Sequence, residues 1–300
     1  MIQPLRLFFA LLLVVSTAAA ADLAVVATSP SLGALVSEVA GPRVHLEVLA
    51  GPDRDLHRLQ VKPSMMRALR GADLMVAQGA DLEIGWLPAV LANAANPKVL
   101  PGSPGYFEAT AQVPLLDTGG TADRALGDVH PVGNPHINMD PVRMAQVAQV
   151  LAERLAQLDP DGAGQYRAAA AAFAAKVERR LPTWRTRAAH APGVVLYHRD
   201  AIYLLDRLGI PLLGTLEPLP GVPMTGRQLA DLTAALTGRS GVILYAPYHS
   251  PQAPEALTTR LGWPAIPIGM EPPADADGDA YLKHIDRWVD ALVPPPGSGT

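Results

Sequence analysis

The stretch that most constrains this chain is Ala-rich. From Ala163 to Ala189 it holds Tyr166, Phe173, Val177 and Leu181 among Ala and Arg, residues that favour helix. A helix of about 25 residues spans roughly 40 Å at 1.5 Å per residue, long enough to run along a whole domain. Pro182 places a kink or break near its end. On either side of this rod, short apolar runs alternate with helical stretches. That is the pattern of parallel sheets in α/β units. The rod is therefore expected to connect two α/β lobes.

In the first half, Asp22 to Ala27 reads as a strand and Ser29-Pro30 opens a helix ended by Gly41-Pro42. Val44 to Ala50 and Asp73 to Ala77 read as strands, Pro63 to Leu69 and Leu82 to Ala95 as helices, and Lys98 to Leu100 as a further short strand. Residues 101–135 are rich in Gly, Pro, Asp and Thr and read as irregular, a length more often functional than idle. Pro141 to Leu158 is helical. After the rod the alternation restarts at Val194 and ends in a helix from Asp279 to Leu292. The halves share a pattern but no sequence repeat. The expected division is residues 22–160 for the first lobe, 161–189 for the connecting helix and 190–294 for the second lobe. Residues 295–300 are expected to form a disordered Pro-rich tail.

The N-terminus carries Arg6, then the apolar run Leu7 to Val15, then Ala18-Ala19-Ala20. The run is shorter than the ~20 residues a membrane span needs, so residues 1–21 read as a cleaved signal peptide. The chain contains no Cys. It therefore has neither a disulfide nor an N-terminal Cys for lipid attachment, which suits a periplasm, and a metal site would have to use His, carboxylate or amide donors. The net charge of -4 is spread along the chain and gives no basic face for nucleic acid. A monomer is expected.

In open parallel sheets, ligands collect beyond the carboxyl ends of the strands. His57 falls after the second strand, His136 just before a helix, His198 after Val194 to Tyr197, and Glu271 after Ala265 to Gly269. Two come from each half, so all four can face one cleft. Three imidazoles and an oxygen suit tetrahedral zinc, whereas manganese sites usually carry more carboxylate.

Three hydrolytic or binding alternatives follow from the same residues. A zinc hydrolase would need Glu217 or Glu271 as base, but the chain has no helical His pair with a Glu and no Gly-x-Ser-x-Gly elbow. A receptor for an organic solute is disfavoured by only 5% aromatic residues. A manganese receptor remains the alternative within the metal-binding class.

The residues around these histidines resemble those of the zinc and manganese ABC-transporter substrate-binding proteins (cluster A-I metal receptors, zinc type). The segments are Asp55-Leu56-His57 through Pro63-Ser64, Ala72 to Val76 with Gly79 and Leu82-Glu83, Pro135-His136-Ile137-Asn138-Met139-Asp140-Pro141, and Tyr197-His198-Arg199-Asp200-Ala201. The resemblance implies two lobes joined by a rigid helix, with His57, His136 and His198 as metal ligands. It also implies zinc capture for delivery to an ABC-transporter membrane permease, and no enzymatic activity. The third His, where manganese members carry Glu, points to zinc. Glu271 stands nearest the usual late carboxylate and is the expected fourth ligand; water, His249 or Asp275 are the alternatives. The His-rich loop of some zinc members is absent, since residues 117–135 hold only His130. His130 reads as a solvated loop residue, with a transient ligand as the alternative, and His45, His190 and His284 as surface or packing residues.

Overall fold

The computed structural model describes residues 23–119, 130–217 and 221–293. The expected signal peptide (1–21) and tail (295–300) lie outside them. Among the described residues, no helix is long and apolar enough to cross a membrane.

The first lobe is a four-stranded parallel sheet. Its strands are β1 (Leu23–Ala27), β2 (Val44–Val48), β3 (Leu74–Ala77) and β4 (Tyr106–Glu108), in the order β2-β1-β3-β4. The second sheet holds β5 (Val194–Leu196), β6 (Leu212–Thr215), β7 (Val242–Tyr245) and β8 (Ala265–Pro267), in the order β6-β5-β7-β8. The two orders are the same, although the sequences are not. Helices α1 (Pro30–Ala40), α2 (Pro63–Arg70), α3 (Leu87–Ala94) and α4 (Pro141–Leu158) belong to the first lobe, and α6 (Ile202–Leu208), α7 (Gly226–Leu236), α8 (Gln252–Leu261) and α9 (Gly278–Leu292) to the second. Between them runs α5 (Ala163–Ala188).

Local chemistry sets these elements. Ser29 caps α1 by accepting from the Leu32 amide, and Pro30 fills the first turn, where its missing N–H costs nothing. Strand β3, Leu-Met-Val-Ala, is buried on both faces, as a central strand covered by helices must be. Edge strand β2 alternates instead, with His45 and Glu47 exposed, so His45 is a surface residue as expected.

Three details depart from the sequence reading. Lys98 to Leu100 is not a strand. Asn96 accepts from the Lys98 amide and starts a single 3-10 turn over Pro97–Val99. The fourth strand is Tyr106–Glu108 inside the segment read as irregular, and three residues are too few to show a period. The α5 helix runs through Pro182 without ending. Pro182 is exposed, so water can satisfy the carbonyl that loses its amide partner.

One hydrophobic core passes through both lobes. It runs from Val25 and Leu35 through Met144 and Leu151, along Tyr166, Phe173, Val177 and Trp184 of α5, to Leu196, Tyr281 and Trp288. Polar ties follow the same seam. Lys176 of α5 reaches Glu38 of α1 at 2.8 Å and Asp279 of α9 at 3.1 Å. Buried Asp140 caps α4 through the Val142 amide, and pairs with Arg143 beside it and with Arg207 of α6 across the seam.

Candidate metal centre

Each sheet order places a switch point at its centre, between β1 and β3 in one lobe and between β5 and β7 in the other. The crevice beyond those strand ends is where a ligand is expected. His198 stands two residues past the end of β5, and His57 lies in the 3-10 turn Leu56–Arg58 after β2. His136 enters the turn before α4.

The structure brings the three predicted histidines together. Ring centroids are 5.2 Å apart for His57 and His136, 5.4 Å for His57 and His198, and 5.3 Å for His136 and His198. A fourth ring, His130, lies 5.3 Å from His57 and 6.2 Å from His136. His57, His130 and His198 each offer a ring nitrogen within 4.8 Å of the others. His130 is thus at the cleft and not in the solvated loop position read from the sequence. A short tether was the available signal: it stands six residues before His136, and six residues span at most ~20 Å.

Every one of the four rings is held by its Nδ1. Asp55 Oδ1 lies 2.8 Å from His57 Nδ1, Asn134 Oδ1 3.0 Å from His136 Nδ1, Glu217 Oε2 3.3 Å from His198 Nδ1, and the Ala80 carbonyl 3.1 Å from His130 Nδ1. Asp55 and Asn134 play the same part. Each stands two residues before its histidine and also accepts from that histidine's backbone amide, at 3.0 Å in both cases. All four partners accept, so all four Nδ1 atoms carry the proton. For His57, His136 and His198 that leaves Nε2 as the lone pair that can face a ligand.

Two of the rings bring these atoms close together, while His136 stands outside the group of donors that lie within 4.8 Å of one another. His57 Nε2 and His130 Nε2 are 3.3 Å apart. Tetrahedral zinc with bonds of ~2.0–2.1 Å sets its nitrogens ~3.3–3.4 Å apart. His198 Nε2 is buried with no hydrogen-bond partner. Converging lone pairs repel unless a cation sits between them, so the donor set fits a metal ion.

The charges agree with this. Burial, reinforced by the neighbouring imidazoles of His57, His198 and His130, holds His136 well below its ordinary pKa, so its ring is neutral. Burial alone would raise Asp55, but its hydrogen bonds to His57 outweigh that and hold it at about 2. Glu217 is likewise lowered, burial being outweighed by His198 and the Gly221 amide. Both carboxylates are therefore charged and face polarised imidazoles.

Glu271 is buried on the cleft wall, beside a recess of about 20 Å³ that His57 and His136 also line. Its two oxygens are engaged across the lobes. Oε2 accepts from the Ser31 amide at 2.7 Å and Oε1 from Asn138 Nδ2 at 3.1 Å. Burial pushes its pKa up to about 7. His249 stacks on Tyr197 with centroids 4.0 Å apart, on the wall of a cavity of about 360 Å³ that opens onto His57, His136 and His198. Asp275 is exposed. His284, read as surface or packing, is buried in α9 and accepts from Arg287.

Two parallel α/β lobes on one long helix, with imidazoles gathered between them, define a metal-binding substrate-binding protein of the extracytoplasmic kind. The chain belongs to the family described as zinc-uptake complex component A periplasmic (ZnuA), which it matches over residues 25–294. Members of this family are metal-binding receptors that work with ABC-transporter permeases, and they are not enzymes. The zinc-binding lipoprotein AdcA of Streptococcus pneumoniae is 24% identical over 269 residues, covering 85% of this chain and 52% of AdcA. The chain thus spans about half the length of that relative. Among solved structures, a zinc-bound deletion mutant of ZnuA superposes with a TM-score of 0.72 at 20% identity, over 92% of this chain and 100% of that one. The substrate-binding protein FpvC from Pseudomonas aeruginosa, with Ni2+ bound, gives 0.73 at 21% identity, over 91% of this chain and 96% of its own. At such identities these two likenesses establish the fold alone.

Proposed function

We propose that this protein captures zinc in the cleft between its lobes, through His57, His136 and His198, and delivers it to an ABC-type membrane permease. The observation that carries the reading is the fixed tautomer of those rings: each Nδ1 is committed to an acceptor, leaving Nε2 for the ion. Neutral nitrogen donors favour zinc over manganese. The mature chain works as a monomer in the periplasm, freed of residues 1–21, and does not bind nucleic acid. Its metal-binding lobes are residues 22–160 and 190–294, joined by 161–189.

The test is zinc titration of the purified mature protein against a chelator of known affinity. Changing His57, His136 or His198 to Ala should each weaken binding severely. Wild-type binding no tighter than micromolar would count against the proposal. Thermal shifts with zinc, manganese and nickel would rank the ions.

A further inference from the structure

We propose that His130 is the fourth ligand of an all-imidazole site and determines its selectivity, while Glu271 ties the lobes together and does not bind the ion. The inference rests on reading the cleft as a zinc site.

His130 is held at the cleft by the Ala80 carbonyl. The residues that hold it are Gly79, Ala80 and Asp81, three successive residues with positive φ, at 89°, 48° and 65°. Left-handed backbone is costly for Ala and Asp, so such a turn persists only when its surroundings over-determine it. Two carboxylates do so. Glu83 accepts from the amides of Gln78 and Gly79 and from Thr28 Oγ1, and Glu108 accepts from the Ala80 amide. A Cβ on Gly79 would collide with Glu108 and Thr110. The outcome is an Ala80 carbonyl fixed against His130 Nδ1, which turns Nε2 onto His57 Nε2 at 3.3 Å. That is the same construction used for the other three rings.

Glu271 is placed differently. Its carboxylate sits at the first turn of α1 and on Asn138, so it joins the second lobe to two elements of the first. Rotating it onto the ion would leave the Ser31 amide and Asn138 Nδ2 without those partners. Four imidazoles make a donor set of borderline softness, which suits zinc and is poor for manganese. A carboxylate in fourth place would narrow that difference.

The experiment uses the mature chain carrying His130→Ala, Glu271→Gln or Glu271→Ala. Zinc and manganese affinities would be measured by chelator competition, cobalt(II) d–d spectra would be recorded, and the metal-free proteins melted. His130→Ala is expected to weaken zinc by ~10- to 100-fold, at least the scale of losing an outer partner. Manganese should change far less, and the cobalt spectrum should shift as water replaces nitrogen. Glu271→Gln keeps an oxygen for the Ser31 amide, so zinc affinity and the cobalt spectrum should stay as in wild type. Glu271→Ala should lower the melting temperature of the metal-free protein. If His57→Ala and His198→Ala lose zinc but His130→Ala binds as tightly as wild type, this inference falls and the zinc reading stands. The inference also falls if Glu271→Gln alters the cobalt spectrum. If His57→Ala and His198→Ala keep wild-type affinity, the zinc reading itself falls.

Discussion

Replacing Asp55 by Ala removes an acceptor that never touches the ion. Asp55 Oδ1 takes both the amide of His57 and its Nδ1 proton, at 3.0 and 2.8 Å. The strength of that grip can be read from the carboxylate, whose pKa sits at about 2 instead of 3.8 despite burial that pushes it upward. Lowering of that size is worth about 2 kcal/mol. Losing an outer partner of a metal-bound His typically costs ~10- to 100-fold in affinity, or ~1.4–2.7 kcal/mol, which brackets the same figure. Asp55→Ala is therefore expected to weaken zinc by ~10- to 100-fold at neutral pH. Asp55→Asn keeps an oxygen for Nδ1 and loses only the charge, so it should fall less, by up to ~10-fold. Competition with a chromophoric chelator reads both. If Asp55→Ala binds within about threefold of wild type, the tautomer-holding argument is wrong for His57 and doubtful for its three neighbours.

Other perturbations test the frame. Phe173→Ala empties a buried site on α5 against the Tyr281 ring, and should cost ~3–5 kcal/mol in urea unfolding; a loss below ~1 kcal/mol would mean the lobes do not share that packing. Asp140→Ala leaves Arg143 and Arg207 without their buried partner, and should cost ~3–5 kcal/mol, with Asp140→Asn milder because it can still cap α4. Glu271 has its pKa raised from 4.5 to about 7 by burial, so between those values the native state keeps a proton that the unfolded chain releases. Stability of the metal-free protein should therefore fall as pH rises through that window, by ~3 kcal/mol from this group, and Glu271→Gln should remove the fall. Burial lowers His284 from 6.5 to about 4, so its contribution runs the other way and stability should rise with pH across that range. Denaturant midpoints at about pH 5 and about pH 8 in Glu271→Gln and wild type check the sign, and equal pH dependence in the two would refute it.

Much of this was legible in the chain because parallel α/β units announce themselves through apolar runs buried on both faces, such as Leu74 to Ala77. The length of α5 could be read from Ala content, but its passage through Pro182 could not, since that depends on the exposed side of the helix. Strand β4 escaped because one buried residue, Phe107, carries it. At the cleft, His57, His136 and His198 were singled out by their positions after strands or just before a helix and by neighbouring motifs. His130 was not, because its place depends on the Gly79-Ala80-Asp81 turn, whose backbone angles have no periodic signature. The Asx residue two places before His57 and His136 was visible all along, but only the structure shows what that spacing does.

The unbroken core along α5 bears on how cargo would leave. A receptor whose halves share Phe173, Val177 and Trp184 has a soldered hinge, and prising it wide apart would mean unfolding it. Unloading would then be a matter of coordination chemistry more than mechanics. An acceptor would trade donors with the site one at a time, and the pace of transfer would follow how readily the most weakly anchored imidazole lets go.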